Sequence, residues 1–225
     1  QHAMNLKLRN EAAFWAEYQN EPLPDKEFDD EGLLSADQIC AKLNGMRRGQ
    51  LPIGVNHLTM FIDVQGKLLY WMICGWEDDY TGFLLDYGAY PDQRKVYFTL
   101  REAQRTLTTV AKSTGGATAS GIEGAIYAGL ETLVNERLGR EYHRDDGAAM
   151  RIAQCVIDAN WGTSTDVVYQ FCRQSQHSAL LLPSHGRFVG AASRPFSEYV
   201  RRPGDRVGLN WRIPNVQGKR AVRHA

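Results

Sequence analysis

The sequence predicts an α/β fold, a mixed five-stranded sheet flanked by helices. Three apolar segments of strand length follow one another between residues 57 and 90, joined by short polar connections. Two segments with helical apolar spacing come next, and the chain then runs strand, helix, strand as far as residue 182. A composition of 43% hydrophobic and 23% charged residues suits a packed core and excludes a disordered chain.

The elements are read in order. Glu11 to Tyr18 has helical spacing in Phe14, Trp15 and Tyr18, and Pro22 and Pro24 stop it. Asp25 to Glu31 is a charged linker. Ser35 starts a short helix with Gln38 at the capping-box position and Gly45 past its end. His57 to Val64 is a near-continuous apolar run, as expected for a strand buried on both faces. Gln65-Gly66 turns the chain into a second strand, Lys67 to Trp76. Glu77 to Tyr80 turns it again into a third, Thr81 to Tyr90, which completes an antiparallel meander. Thr99 with Glu102 opens a helix marked by Leu100, Ala103, Leu107 and Val110. Ser113 to Ser120 is a small-residue loop without the Gly-Lys-Ser/Thr ending of a phosphate-binding loop. Ser120 with Glu123 caps a longer helix whose stripe is Ile122, Ala125, Ile126, Leu130, Leu133 and Val134. Asp145-Asp146-Gly147 is a turn. Ile152 to Asp158 is the fourth strand. A helix from about Thr163 to Ser175 buries Val167, Val168, Phe171 and Cys172. Ser178 to Leu182 is the fifth strand, ended by Pro183.

The order β-β-β-α-α-β-α-β has the layout of the RNase H-like fold. A right-handed crossover sets the fourth strand beside and parallel to the first, which gives the order 3-2-1-4-5 with the second strand antiparallel. Asp63 ends the first strand and Asp158 the fourth, so both carboxylates emerge at one edge on adjacent strands, about one to two strand spacings apart at ~5 Å each. Aspartate is disfavoured within strands, and two anionic groups brought close repel unless a cation lies between them. Mg²⁺ and Mn²⁺ take such oxygen ligands, and two ions about 3.5–4 Å apart clamp the attacking and leaving oxygens of phosphodiester hydrolysis. Asp63 and Asp158 are therefore the expected catalytic and metal-binding residues, with Mg²⁺ or Mn²⁺ in a two-ion site. Asn160, Asp166 and His185 are candidate accessory residues. Asp86, two strands from the centre, is expected to be structural.

The formal net charge is zero, but its distribution is uneven. Residues 1–100 carry 9 Lys/Arg against 15 Asp/Glu, and residues 186–225 carry 9 against 2. A basic arm rich in arginine fits phosphate oxygens. Arg187, Arg194, Arg201, Arg202, Arg206, Lys219 and Arg220 are its expected nucleic-acid contacts. The four cysteines, Cys40, Cys74, Cys155 and Cys172, form no C-x-x-C pair and read as small buried thiols. No uninterrupted apolar run reaches the roughly 18 residues of a membrane span. The N-terminus lacks a signal pattern, so a reducing, cytoplasmic setting is expected.

Phe61-Ile-Asp-Val-Gln65, a second strand ending Gly75-Trp76, and Leu85-Asp-Tyr-Gly88 together resemble the nuclease region of tailed-phage large terminase subunits of the lambda-like branch. Glu11 to Pro22 is similar to the segment joining the ATPase and nuclease domains of such proteins. Ile157-Asp-Ala-Asn160 through Asp166 to Arg173 is similar to their fourth strand and following helix. The resemblance spans roughly residues 11–220. It implies an RNase H-like endonuclease that cuts concatemeric viral DNA during genome packaging. It also implies an Asp on the first strand and an acid on the fourth, which Asp63 and Asp158 match, and a third acid near the C-terminus with no clear match. No Walker A motif is present, so the packaging ATPase is expected in another domain of a longer polypeptide. Double-stranded DNA, the small terminase subunit and the portal are the expected partners, with no membrane. The division expected is a linker with short helices over 1–50, an RNase H-like nuclease core over 51–185 and a basic arm over 186–225. Two alternatives stand beside this one: another RNase H-like nuclease of transposase or resolvase type, and a non-catalytic DNA-binding packaging module.

Overall fold

The structure is a computed structural model and describes residues 34–113, 121–160, 162, 165–186, 198–208 and 211–214. The expected helix at 11–18, the loop at 114–120 with its Ser120 cap, Trp161, the Thr163 helix start, and Arg187, Arg194, Lys219 and Arg220 lie outside the described residues. The chain divides into two compact units, one of residues 47–186 with 201–225, the other of 1–46 with 187–200. In the smaller unit, α1 (Ala36–Cys40) carries the expected capping box. Gln38 N donates to Ser35 Oγ at 3.2 Å, and Ser35 N donates to Gln38 Oε1 at 2.7 Å.

The larger unit is built on five strands. β1 (His57–Val64), β2 (Leu69–Trp76) and β3 (Gly82–Tyr90) form the antiparallel meander. The chain then passes through α2 (Leu107–Ser113) and α3 (Gly121–Leu138), followed by a small hairpin of β4 (Tyr142–His143) and β5 (Ala149–Met150). β6 (Gln154–Asp158), α4 (Thr165–Gln174) and β7 (Leu181–Ser184) complete the sheet. Its order is β3-β2-β1-β6-β7, with β6 parallel to β1 and β7 parallel to β6. That is the expected RNase H-like order, the fourth and fifth sheet strands being β6 and β7. A second hairpin, β8 (Arg206–Val207) with β9 (Arg212–Ile213), follows.

Burial along β1 alternates rather than running continuous, which corrects the expectation of a strand covered on both faces. Leu58, Met60, Ile62 and Val64 are buried; Thr59 and Asp63 are half-buried, and Phe61 is 38% exposed. The inward residues join those of β2, β6 and helices α2 to α4 in one hydrophobic cluster. The apolar residues of the outward face instead border open space, and that face carries the site described below.

Other local expectations are also corrected. The helix expected from Thr99 begins instead at Leu107. Glu102 does accept from Thr99 N and Oγ1, at 2.8 and 2.9 Å. However, Gln93 captures the next backbone groups: Gln104 N and Arg105 N donate to its Oε1, and its Nε2 donates to Arg105 O. Backbone tied to a side chain in this way cannot enter a helical ladder. The true cap is Thr106, whose N donates to Thr109 Oγ1 at 2.8 Å while Thr109 N donates back to Thr106 Oγ1 at 3.3 Å. Ser178 to Leu180 form turns, and the final strand runs through Pro183 to Ser184. Proline is tolerated there because β7 is an edge strand. α2 packs closely on α3, since a β-carbon at Gly129 would meet Leu107 Cδ2 at 2.6 Å. Among the described residues no helix is long and apolar enough to cross a membrane.

Candidate active site

The parallel pairing of β1 with β6 sets Ile62 opposite Ile157. Asp63 and Asp158 each follow by one residue, so they leave adjacent strands at the same edge and on the same face, ~5 Å apart in the hydrogen-bonding direction. β7 extends the row, with Ser184 beside Asp158. Both carboxylates line a cleft of about 640 Å³. Phe61 and Val156 form its floor, and Gln65, Asn160, Ser184, His185 and Gly186 its rim.

Short local bonds fix these groups. Gln65 Nε2 donates to Asp63 Oδ2 at 2.9 Å. Asn160 N donates to Asp158 Oδ1 at 3.1 Å, and its Nδ2 donates to Gly186 O at 2.9 Å, which joins the loops after β6 and β7. Thr165 Oγ1 donates to Ala159 O at 2.7 Å, anchoring the start of α4 beneath the site. The Tyr169 hydroxyl and His185 Nε2 share a hydrogen bond of 2.9 Å, with the two rings 5.7 Å apart. On the other side of Asp63 stands Tyr70, its partner across β1 and β2. Burial raises the pKa of the Tyr70 phenol, and the negative charge of Asp63 adds to the shift.

Among the described residues no Lys or Arg lines the cleft, and neither carboxylate has an ion pair. Asp86 is the opposite case: 5% exposed, it is paired to Arg48 and, at 3.5 Å, to Arg137. The Arg137 guanidinium lies 4.0 Å over the Trp71 ring. Asp86 is thus a buried charge neutralised by protein.

The family model described as "Terminase large subunit gpA, endonuclease domain" matches residues 24–202. The chain belongs to this family. Its members are nucleases of viral genome packaging, and the RNase H-like sheet is the fold on which this chain carries that role. No curated protein and no solved structure matches the chain.

Placed against the sequence expectations, Asp63, Asp158, Asn160 and His185 come together at the cleft of this terminase domain. Asp166 does not: it is exposed in the first turn of α4 and does not line the cleft. Arg201, Arg202 and Arg206 are exposed, and Arg202 N donates to Asp205 Oδ2. Ser184 and Gln65 also line the cleft, and the sequence does not single them out, since Pro183 reads as a strand end and Gln65 as part of a turn. The signal for both was a polar residue directly after an apolar run of strand length.

The carboxylate, amide and hydroxyl oxygens of the cleft, with no Lys or Arg beside them among the described residues, suit Mg²⁺ or Mn²⁺. Among the described residues no group of three or more His, Cys, Asp and Glu is arranged to hold a metal. Mg²⁺ characteristically binds through one or two carboxylates, several waters and substrate phosphates, and two is the number of carboxylates that line the cleft among the described residues.

Proposed function

We propose that this domain is a metal-dependent endonuclease that cuts concatemeric viral DNA during packaging, by two-metal phosphodiester hydrolysis. The single observation that supports it most is the pair Asp63 and Asp158, without an ion-pair partner among the described residues, side by side on β1 and β6 in an open cleft. A divalent ion bound there would supply an activated water and charge stabilisation at the scissile phosphate. The chain's own residues do the rest. Asp63 and Asp158 would hold the ions, and Gln65 fixes the orientation of the Asp63 carboxylate. Asn160 ties the two loops of the rim together, so the cleft keeps its width when a phosphate enters. His185, held by Tyr169, stands at the rim to donate a proton to the leaving oxygen.

The described arm arginines Arg201, Arg202 and Arg206, together with Arg187, Arg194, Lys219 and Arg220, contact duplex phosphates. The packaging ATPase of the same polypeptide, the small terminase subunit and the portal bring the DNA to the site, in the host cytoplasm. The reading is tested by plasmid nicking with Mg²⁺ or Mn²⁺. The parent chain nicks, chelation stops it, and Asp63→Ala lowers the rate by about three orders of magnitude, the loss of several kcal/mol of transition-state stabilisation. Undiminished cleavage by Asp63→Ala would remove the assignment.

A further inference from the structure

A second, larger cleft of about 1050 Å³ wraps the edge strand β3. Its walls differ in chemistry from those of the carboxylate cleft. Six basic side chains line it: Arg48, Arg94, Lys95, Arg105, Arg137 and Arg140. Among the described residues three acidic ones do so, Asp86, Asp92 and Glu136, and Asp86 is already occupied by Arg48 and Arg137. Arg94, Arg105 and Arg140 make no ion pair among the described residues. Aromatic rings are interleaved with these cations. Tyr97 is 81% exposed and Tyr87 is 59% exposed, while Tyr70 and Phe98 stack at 6.2 Å.

The cleft is built, not a chance gap between side chains. Gln93 ties its outer wall together through Pro91 O, Arg105 O, Gln104 N and Arg105 N. Arg105 Nη1 donates to Asp92 O at 2.6 Å. The cleft also begins where the carboxylate site ends. Tyr70, which lines it, is the cross-strand partner of Asp63 and therefore stands on the same face of the sheet. Ala89, opposite Tyr70 on β3, and Tyr87, opposite Met72, continue that face. From Asp63 to β3 is two strand spacings, ~10 Å.

We propose that this cleft is a channel for one DNA strand with unpaired bases, running from the Asp63/Asp158 site over Tyr70 to Arg94, Lys95 and Tyr97. The proposal rests on the nuclease reading for what lies at its inner end. The physical argument is charge and stacking. Among the described residues the carboxylate cleft offers a strand no Lys or Arg and the neighbouring cleft offers six, so the neighbouring cations hold the phosphates beside the site. Rings as open as those of Tyr97 and Tyr87 stack on bases of any identity, but only where the bases are free of a duplex. The residues of this channel are not those of the basic C-terminal arm, and they would guide the strand beside the cut rather than the duplex as a whole.

The test is fluorescence anisotropy of the whole chain, without divalent ion, on a short single strand and on a blunt duplex. Arg94→Glu/Lys95→Glu weakens single-strand binding roughly tenfold or more and lowers its salt slope by about two. Tyr97→Ala weakens it at least about fivefold, and Tyr97→Phe restores it. Duplex binding changes less. Unchanged single-strand binding in both the charge-reversal and Tyr97→Ala variants would overturn the proposal, as would an equal loss on the blunt duplex. A weakening by Arg201→Glu/Arg202→Glu, with the channel variants binding normally, would hand the strand to the arm and make this cleft a protein-docking face, which also overturns it. The nuclease reading fails separately, by absent cleavage in the parent chain. With cleavage intact, the channel charge reversal raises KM and spares the rate at saturating DNA, whereas Asp63→Ala binds DNA and does not cut it.

Discussion

Asp86 and the pair Asp63/Asp158 lie on the same sheet and meet opposite fates. Asp86 is buried and takes its positive charge from Arg48 and Arg137, the latter held flat over Trp71. Asp63 and Asp158 are only half-buried, stand next to each other and have no such partner among the described residues. A carboxylate whose charge is cancelled by protein stabilises a fold. Two left uncancelled are a cost to the fold, which on the proposed function a ligand bringing its own charge offsets. The difference lies in the neighbourhood rather than in the residue: each aspartate sits within or at the end of an apolar strand.

That contrast can be broken in order of expected effect. Asp158→Ala should lower metal-dependent cleavage by about three orders of magnitude while the melting temperature holds or rises, because one of two repelling charges is gone. Asp86→Ala should do the reverse. Removing it takes the buried carboxylate from Arg137, which is mostly covered, and from the exposed Arg48, and costs about 3 kcal/mol in denaturant unfolding, with cleavage retained at temperatures where the variant is folded. If Asp86→Ala abolished cleavage without loss of stability, the two classes of aspartate would not be distinct. Gln65→Ala should be milder. It frees the Asp63 carboxylate and shifts the midpoint of a Mn²⁺ titration of cleavage by about tenfold.

Much of this was legible in the sequence. The strand order followed from element order and the handedness of crossovers, and Asp63 and Asp158 followed from the strand order. The helical stripes at 122–134 and 167–172 were readable because tertiary packing reinforces their spacing. The misses were places where side chains overrode local signals. Thr99 and Glu102 look like a helix start, but Gln93 holds the next amides. Pro183 looks like a strand end, but an edge strand leaves its ring room. The outer face of β1 looked covered because Phe61 is as apolar as Ile62; only the fold shows that one is open and the other buried. The channel beside β3 could not be read at all, since Arg48, Arg94 and Arg137 are far apart in the chain.

The same distinction between covered and open groups applies to the thiols. Burial pushes the Cys172 thiol up to about 12 and Cys155 further still, whereas Cys40 is exposed. A raised pKa keeps both buried groups as neutral thiols through mildly alkaline pH. Iodoacetamide at pH 8 should therefore modify Cys40 in the native chain, and Cys155 and Cys172 only after denaturation, as read by intact mass.

The most direct measurement is a crystal of the domain grown with Mn²⁺ and examined for anomalous scattering. Density coordinated by both the Asp63 and Asp158 carboxylates is the predicted result. No density there, at Mn²⁺ concentrations that support cleavage, would contradict it.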